Sequence, residues 1–145
     1  MRYYFAYGYN TNKSHMKIRC PAADCIGPAY LENYKLVFRN HADIEHDLSK
    51  GMWGVLWSLS KDCEFSLDQF EGFPFYYIKK EVVVKPLNGK PYENIIAMVY
   101  KMTRDSQYSL PTESYKQALV DGYTQSNICL SQINNALEGV INNEK

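Results

Sequence analysis

Met52-Trp53-Gly54-Val55-Leu56-Trp57-Ser58-Leu59 carries large apolar side chains on both faces of an extended chain. Trp53, Val55, Trp57 and Leu59 share one face, while Met52 and Leu56 occupy the other. A half-exposed strand alternates apolar with polar residues, so a strand apolar on both sides must be covered on both sides. The stretch therefore predicts a barrel wall wrapped by helices. The next segment, Lys61–Phe70, switches to a helical period, with Cys63, Leu67 and Phe70 at i, i+4 and i+7 of one stripe. Glu71 continues that stripe, and Gly72 follows where helices commonly end. A carboxylate so placed faces apolar neighbours and the negative end of the helix dipole, and both raise its pKa. That tuning suits a general base or acid near neutral pH. A last-turn glutamate turned out into water is the commoner outcome of such a pattern, so the residues alone leave both readings open.

Upstream, Tyr3–Tyr7 is a β-rich run broken by Gly8. Tyr9-Asn10-Thr11-Asn12 then offers several helix caps before a short helix to about Arg19, stopped by Pro21. Ala29–Phe38 predicts a strand with a bend at Asn33, and the polar run Asn40–Lys50 predicts an exposed loop. Downstream, Tyr76–Lys85 and Tyr92–Met102 are strand runs joined through Asn88-Gly89, a hairpin signal. Thr112–Tyr123 gathers Tyr115, Ala118, Leu119 and Gly122 on one helical face. Leu130–Ile141 does the same with Leu130, Ile133, Leu137 and Ile141. Strands come first and helices cluster at the end, which favours a mixed α+β domain over strict βαβ alternation.

The chain has 145 residues, zero formal net charge and scattered basic residues. One domain over residues 1–145 is expected, without the basic footprint of a nucleic-acid binder or a polybasic membrane patch. The apolar run at the start is too short for a signal peptide and no segment approaches a membrane span, so a cytoplasmic location is expected. The four cysteines, Cys20, Cys25, Cys63 and Cys129, form no C-x-x-C pair and predict buried or half-buried free thiols. His41, Asp43, Glu45, His46 and Asp47 could be imagined around a metal. They lack the i, i+4 histidine spacing and lie in a polar run, so a solvated loop is preferred. His15 is expected to be an exposed helix residue, and the Trp53/Trp57 face to be core. Thirteen tyrosines suit half-buried sheet first and a polar pocket second.

The segment Tyr3–Asn12 is the second candidate for chemistry. A strand ending in glycine and leading into a helix start points several backbone N–H groups at one spot. Such a turn can hold a carboxylate or phosphate through oriented amides. Gly8 lets the backbone bend and a ligand approach closely. An ordinary βα turn has the same outline and is more common.

Tyr4-Phe5-Ala6-Tyr7-Gly8-Tyr9-Asn10 resembles the Y-F-A-Y-G-S-N signature of the γ-glutamylcyclotransferase-like family. Four further stretches are similar to that family in the same order. These are Met16-x-x-Arg19-Cys20-Pro21 with Gly27-x-Ala29-x-Leu31-x-x-Tyr34-x-Leu36-x-Phe38, Trp53-Gly54-Val55-Leu56-Trp57, Leu67-Asp68-Gln69-Phe70-Glu71-Gly72, and Pro111-Thr112-x-x-Tyr115 with Gly122. The likeness covers residues 3 to about 128. It implies a small mixed β-barrel flanked by helices and an enzyme, of lyase or acyltransferase class, that releases 5-oxoproline from γ-glutamyl compounds. Glutathione metabolism is the context it implies. Carried onto this chain, the catalytic glutamate is Glu71 and the glutamyl-binding loop is Tyr7, Gly8, Tyr9 and Asn10. The pocket tyrosines are Tyr77 (with Tyr76 adjacent as the alternative), Tyr100 and Tyr115. A small-molecule γ-glutamyl substrate is implied, with no metal or cofactor, and a homodimer stays open.

The implied chemistry suits a lone carboxylate. The substrate's own α-amine attacks its γ-carbonyl to close a five-membered ring, so the nucleophile is already tethered. What remains is to deprotonate the amine, stabilise an oxyanion and protonate the leaving amine. Two departures stand out: Tyr9 replaces the usual serine, and Asn127-Ile128-Cys129 stands where Gly-Leu-Pro often follows the late helix. Tyr9 is the point in favour of an alternative, a non-enzymatic small-ligand binding or interaction protein on the same barrel. Glu71 is the point in favour of the enzyme. The amine side of the substrate carries no decodable pattern, although Asn40–Lys50 and Gly72–Tyr77 are expected to border it.

Overall fold

The doubly apolar stretch lies within the longest strand of a closed barrel. The computed structural model describes residues 2–87 and 93–143. Five strands, β1 (Arg2–Ala6), β2 (Asp24–Arg39), β3 (His41–Leu59), β4 (Tyr77–Pro86) and β5 (Ile95–Met102), are ordered β1-β3-β2-β4-β5. A parallel contact between Tyr4 of β1 and Met98 of β5 closes the ring, and the other pairings are antiparallel. Met52, Val55, Leu56, Trp57 and Leu59 are all buried, as a wall covered on both sides requires. Asn88-Gly89 and Tyr92, read as hairpin and strand start, lie outside the described residues. The strands that they would join do pair, from Tyr77↔Met102 to Val84↔Ile95.

Among the described residues four helices pack around the barrel: α1 (Lys13–Arg19), α2 (Lys61–Glu71), α3 (Glu113–Gln125) and α4 (Ser131–Asn143). Asn12, Ser60 and Thr112 cap the first three through their side chains. Gly72 ends α2 in the left-handed conformation, φ +67°, which glycine adopts without a side-chain clash.

The polar run Asn40–Lys50 is not a loop. From His41 onward it is the first half of β3, paired with β2 in a long ribbon whose turn is a single Asn40 at φ +65°. Its polarity misled because its acids pair with Arg39 and Lys35 of β2. Arg39 donates to Asp43 and to Glu45, both at 2.9 Å, and the fully buried Asp43 accepts from Met102 N at 3.0 Å. Burial raises the Asp43 pKa against the opposing pull of these partners and of Lys101. The bend expected at Asn33 is present, with φ +69° beside a register shift.

Two helical stripes also differ from expectation. Phe70 is 45% exposed because its ring lies under the Arg19 guanidinium and not in the core. On α4 the buried residues are Ile133, Ala136 and Val140, while Leu130 and Ile141 face outward. Gln132 fixes that rotation by bonding Trp53 N at 2.7 Å and Trp53 O at 2.8 Å. The cysteines are free, but Cys25 and Cys129 are exposed, unlike buried Cys20 and Cys63. No helix among the described residues is long and apolar enough to cross a membrane.

Candidate active site

A cavity of about 460 Å³ opens between the end of α2, the segment after β1 and the first turn of α3. That volume falls in the range of small-molecule sites, roughly 300–1,000 Å³. Its walls include Glu71, Gly8, Asn10, Arg19 and seven of the thirteen tyrosines, Tyr9 among them. The fold thus brings together all eight residues singled out from sequence: Tyr7, Gly8, Tyr9, Asn10, Glu71, Tyr77, Tyr100 and Tyr115. Tyr76 lines it as well, half-exposed beside His41, whereas Tyr77 is buried.

Glu71 is the last residue of α2. Its carboxyl makes no hydrogen bond or ion pair with any described residue. Burial raises its pKa to about 7, and the positive charge of Arg19 opposes the rise. The helix carrying it is anchored by Asp68, one turn earlier. Asp68 accepts from the Tyr100 hydroxyl at 2.6 Å and from Lys79 Nζ at 3.0 Å, which ties α2 to β5 and β4.

The glycine segment folds as a single 3-10 turn, Tyr9–Thr11, after Gly8. Its ladder begins with Thr11 N to Gly8 O at 3.1 Å and Asn12 N to Tyr9 O at 3.2 Å. The amides before Thr11 are thus outside the turn's own bonding. Gly8 has a negative φ of −119°, so its need for glycine comes from space. A Cβ there would sit 2.9 Å from Ala42 Cβ and 3.2 Å from the Tyr115 hydroxyl. Helix α3 clamps the turn from outside: Tyr123 donates to Tyr7 O at 2.8 Å and Asn12 donates to Ala118 O at 3.1 Å. Trp57 braces it from the barrel, donating to Asn10 O at 3.1 Å.

A tyrosine hydroxyl has one proton to donate, so its existing bonds define what it can offer a ligand. Tyr7 donates to Tyr100 O, Tyr77 to Ala42 O and Tyr100 to Asp68, at 2.6, 2.8 and 2.6 Å. Tyr115 differs. Its oxygen accepts from Ala42 N at 2.9 Å, which leaves its proton for the cavity. The Tyr4 oxygen likewise accepts, from Asn10 Nδ2 at 3.2 Å. Burial holds the pKa of all five tyrosines above the ordinary phenol value, so they are donors rather than bases at neutral pH.

Tyr9 does not plug the cavity. Its ring is stacked on His15 at 4.2 Å and lies parallel to Tyr115 at 5.4 Å, along one wall. His15, expected to be exposed, is therefore partly covered, and burial lowers its pKa. The group His41, Asp43, Glu45, His46 and Asp47 forms no metal-binding cluster among the described residues. Sequence reasoning missed Arg19, Asp68 and Ala42 as parts of the site. Arg19 and Asp68 lay inside the quoted motifs, but Ala42 acts through its main chain and leaves no signal.

The family model described as gamma-glutamyl cyclotransferase, AIG2-like, matches residues 4–117. The chain is 30% identical over 140 residues to a gamma-glutamylcyclotransferase of Bos taurus, an alignment covering 88% of this chain and 72% of the relative. The Homo sapiens gamma-glutamylcyclotransferase gives the same identity and coverage. A solved structure named gamma-glutamyl cyclotransferase superposes with a TM-score of 0.81 at 27% identity, covering 93% of this chain and 85% of that one. The chain belongs to the gamma-glutamyl cyclotransferase, AIG2-like family.

Proposed function

We propose that this chain is a γ-glutamyl cyclotransferase that releases 5-oxoproline from a γ-glutamyl amino acid or amine, with Glu71 as base and then acid. Family membership and the relatives' names support the activity. The observation that carries the mechanism is the unpaired Glu71 carboxyl, raised to about 7 in a cavity whose wall also holds Arg19 and seven tyrosines.

In this reading Glu71 takes a proton from the substrate's α-ammonium. The freed amine attacks the γ-carbonyl carbon, forming the ring C–N bond and placing negative charge on the carbonyl oxygen. Tyr115 and the amides beside Gly8 are the donors for that oxygen. Collapse of the intermediate breaks the original amide C–N bond as Glu71 returns its proton to the leaving nitrogen, and the proton still carried by the new ring nitrogen then passes through Glu71 to the departing amine. No external nucleophile is needed because the attack is intramolecular. Free Cys20, Cys25, Cys63 and Cys129 favour a cytoplasmic setting for this reaction.

Incubation with γ-glutamyl-L-alanine, followed by chromatographic detection of 5-oxoproline, tests the reading. Glu71→Gln keeps the shape of the side chain but cannot accept the proton, and turnover should fall about 10²–10⁴-fold. A Glu71→Gln protein as active as the natural one would sink the mechanism.

A further inference from the structure

We infer that Arg19 is the carboxylate-binding residue of the cavity, an assignment that rests on the cyclotransferase reading and adds to it the group that grips the substrate's charged end. Among the described wall residues Arg19 is the sole arginine, and no lysine joins it. It makes no ion pair with any described carboxylate. One terminal nitrogen, Nη1, donates to His15 O at 3.2 Å, while its buried Nε has no partner. A buried donor without a partner is costly to leave, and this one belongs to a side chain that lines the cavity.

The guanidinium is also held in place before any ligand arrives. Its Cζ lies 3.4 Å from the Phe70 ring centroid and 5.2 Å from that of Tyr9. Tyr9 in turn stacks on His15, whose carbonyl takes the Arg19 bond. The tyrosine at position 9, where the family signature has serine, thus belongs to the shelf that orients the cation. A planar donor fork fixed on aromatic rings matches a carboxylate in geometry and loses little freedom on binding it.

Two carboxylates could be the partner: the α-carboxylate of the glutamyl half, or one carried by the leaving amino acid. Chemistry favours the first. The glutamyl α-carboxylate shares a carbon with the amine that Glu71 must reach, and the charge of Arg19 is felt at Glu71. One head group bearing both charges would then meet a cation and a base side by side.

Calorimetric titration into the Glu71→Gln protein measures affinity without turnover. The two probes are γ-glutamyl-L-alanine and γ-glutamylethylamine, which lacks the second carboxylate. Adding Arg19→Gln should weaken both probes at least about 10-fold, as expected for loss of a charge-assisted pair. A loss confined to γ-glutamyl-L-alanine also supports the assignment but places Arg19 on the leaving half. Equal affinities with and without Arg19, or no binding of either probe to Glu71→Gln, overturn it. Arg19-dependent binding in a natural protein that releases no 5-oxoproline would instead overturn the cyclotransferase reading alone. Should the Arg19→Gln chain fail to fold, Arg19→Lys keeps the charge without the fork, and unchanged affinity there counts against the assignment.

Discussion

A carboxyl whose pKa lies near 7 is half ionised at neutral pH, and for Glu71 the cause is burial opposed by Arg19. If its ionised form is the base, kcat/KM should climb with pH and level off above about 7. A profile flat from pH 5 to 8 would contradict that role. The same shift has a consequence for stability. The folded state holds the Glu71 proton more tightly than the unfolded chain, so its favourable contribution is full below the unfolded carboxyl value and is lost as pH rises through about 7. Glu71→Gln removes that loss. Its melting temperature should match the natural protein's near pH 4 and exceed it near pH 8. At this scale the sequence was informative wherever a residue acts through its own side chain in a patterned segment, as Glu71 does beside Gly72. It was silent about the Ala42 peptide, which directs two tyrosine hydroxyls through main-chain atoms.

Helix α3 is the element on which the glycine turn depends. Gly122 lies against that turn so closely that a Cβ would stand 2.3 Å from Thr11 Oγ1, 2.7 Å from Asn12 N and 2.8 Å from Thr11 C. Two of these are backbone atoms, so an added methyl must push the helix away. Gly122→Ala should therefore destabilise by about 1–3 kcal/mol, even though alanine favours helix. Because Tyr115 rides on the same helix, kcat/KM should fall as well. Urea unfolding and 5-oxoproline release measured on one preparation check both, and a fully active variant of natural stability would show that the contact is dispensable. The apolar face Tyr115, Ala118, Leu119 and Gly122 was readable because its residues are small or apolar at helical spacing. Asn40–Lys50 was not, because Arg39 and Asp43 are buried as a pair and look in sequence like solvated charges.

Across the whole molecule, the barrel supplies the wall and the connections supply the chemistry: Glu71 ends a helix, the Gly8 segment leaves a strand and Tyr115 opens α3. The α+β class was legible from element types. The strand order β1-β3-β2-β4-β5 was not, because it depends on which edges meet in space. The two tryptophans sit in different surroundings. Trp53 packs on Tyr30 at 5.0 Å and is bonded through its main chain by Gln132 of α4, while Trp57 holds the main chain of Asn10 through its indole N–H. Trp57 is consequently an optical reporter wired to the glycine turn. In a Trp53→Phe protein the remaining emission should be blue-shifted, as expected of an indole 4% exposed, and should change in intensity when γ-glutamyl-L-alanine is added to the Glu71→Gln background. Emission indifferent to saturating compound would mean that the turn neither moves nor changes its polarity on occupation. A responsive signal would let binding be followed on the millisecond scale in a stopped-flow instrument, with no label attached.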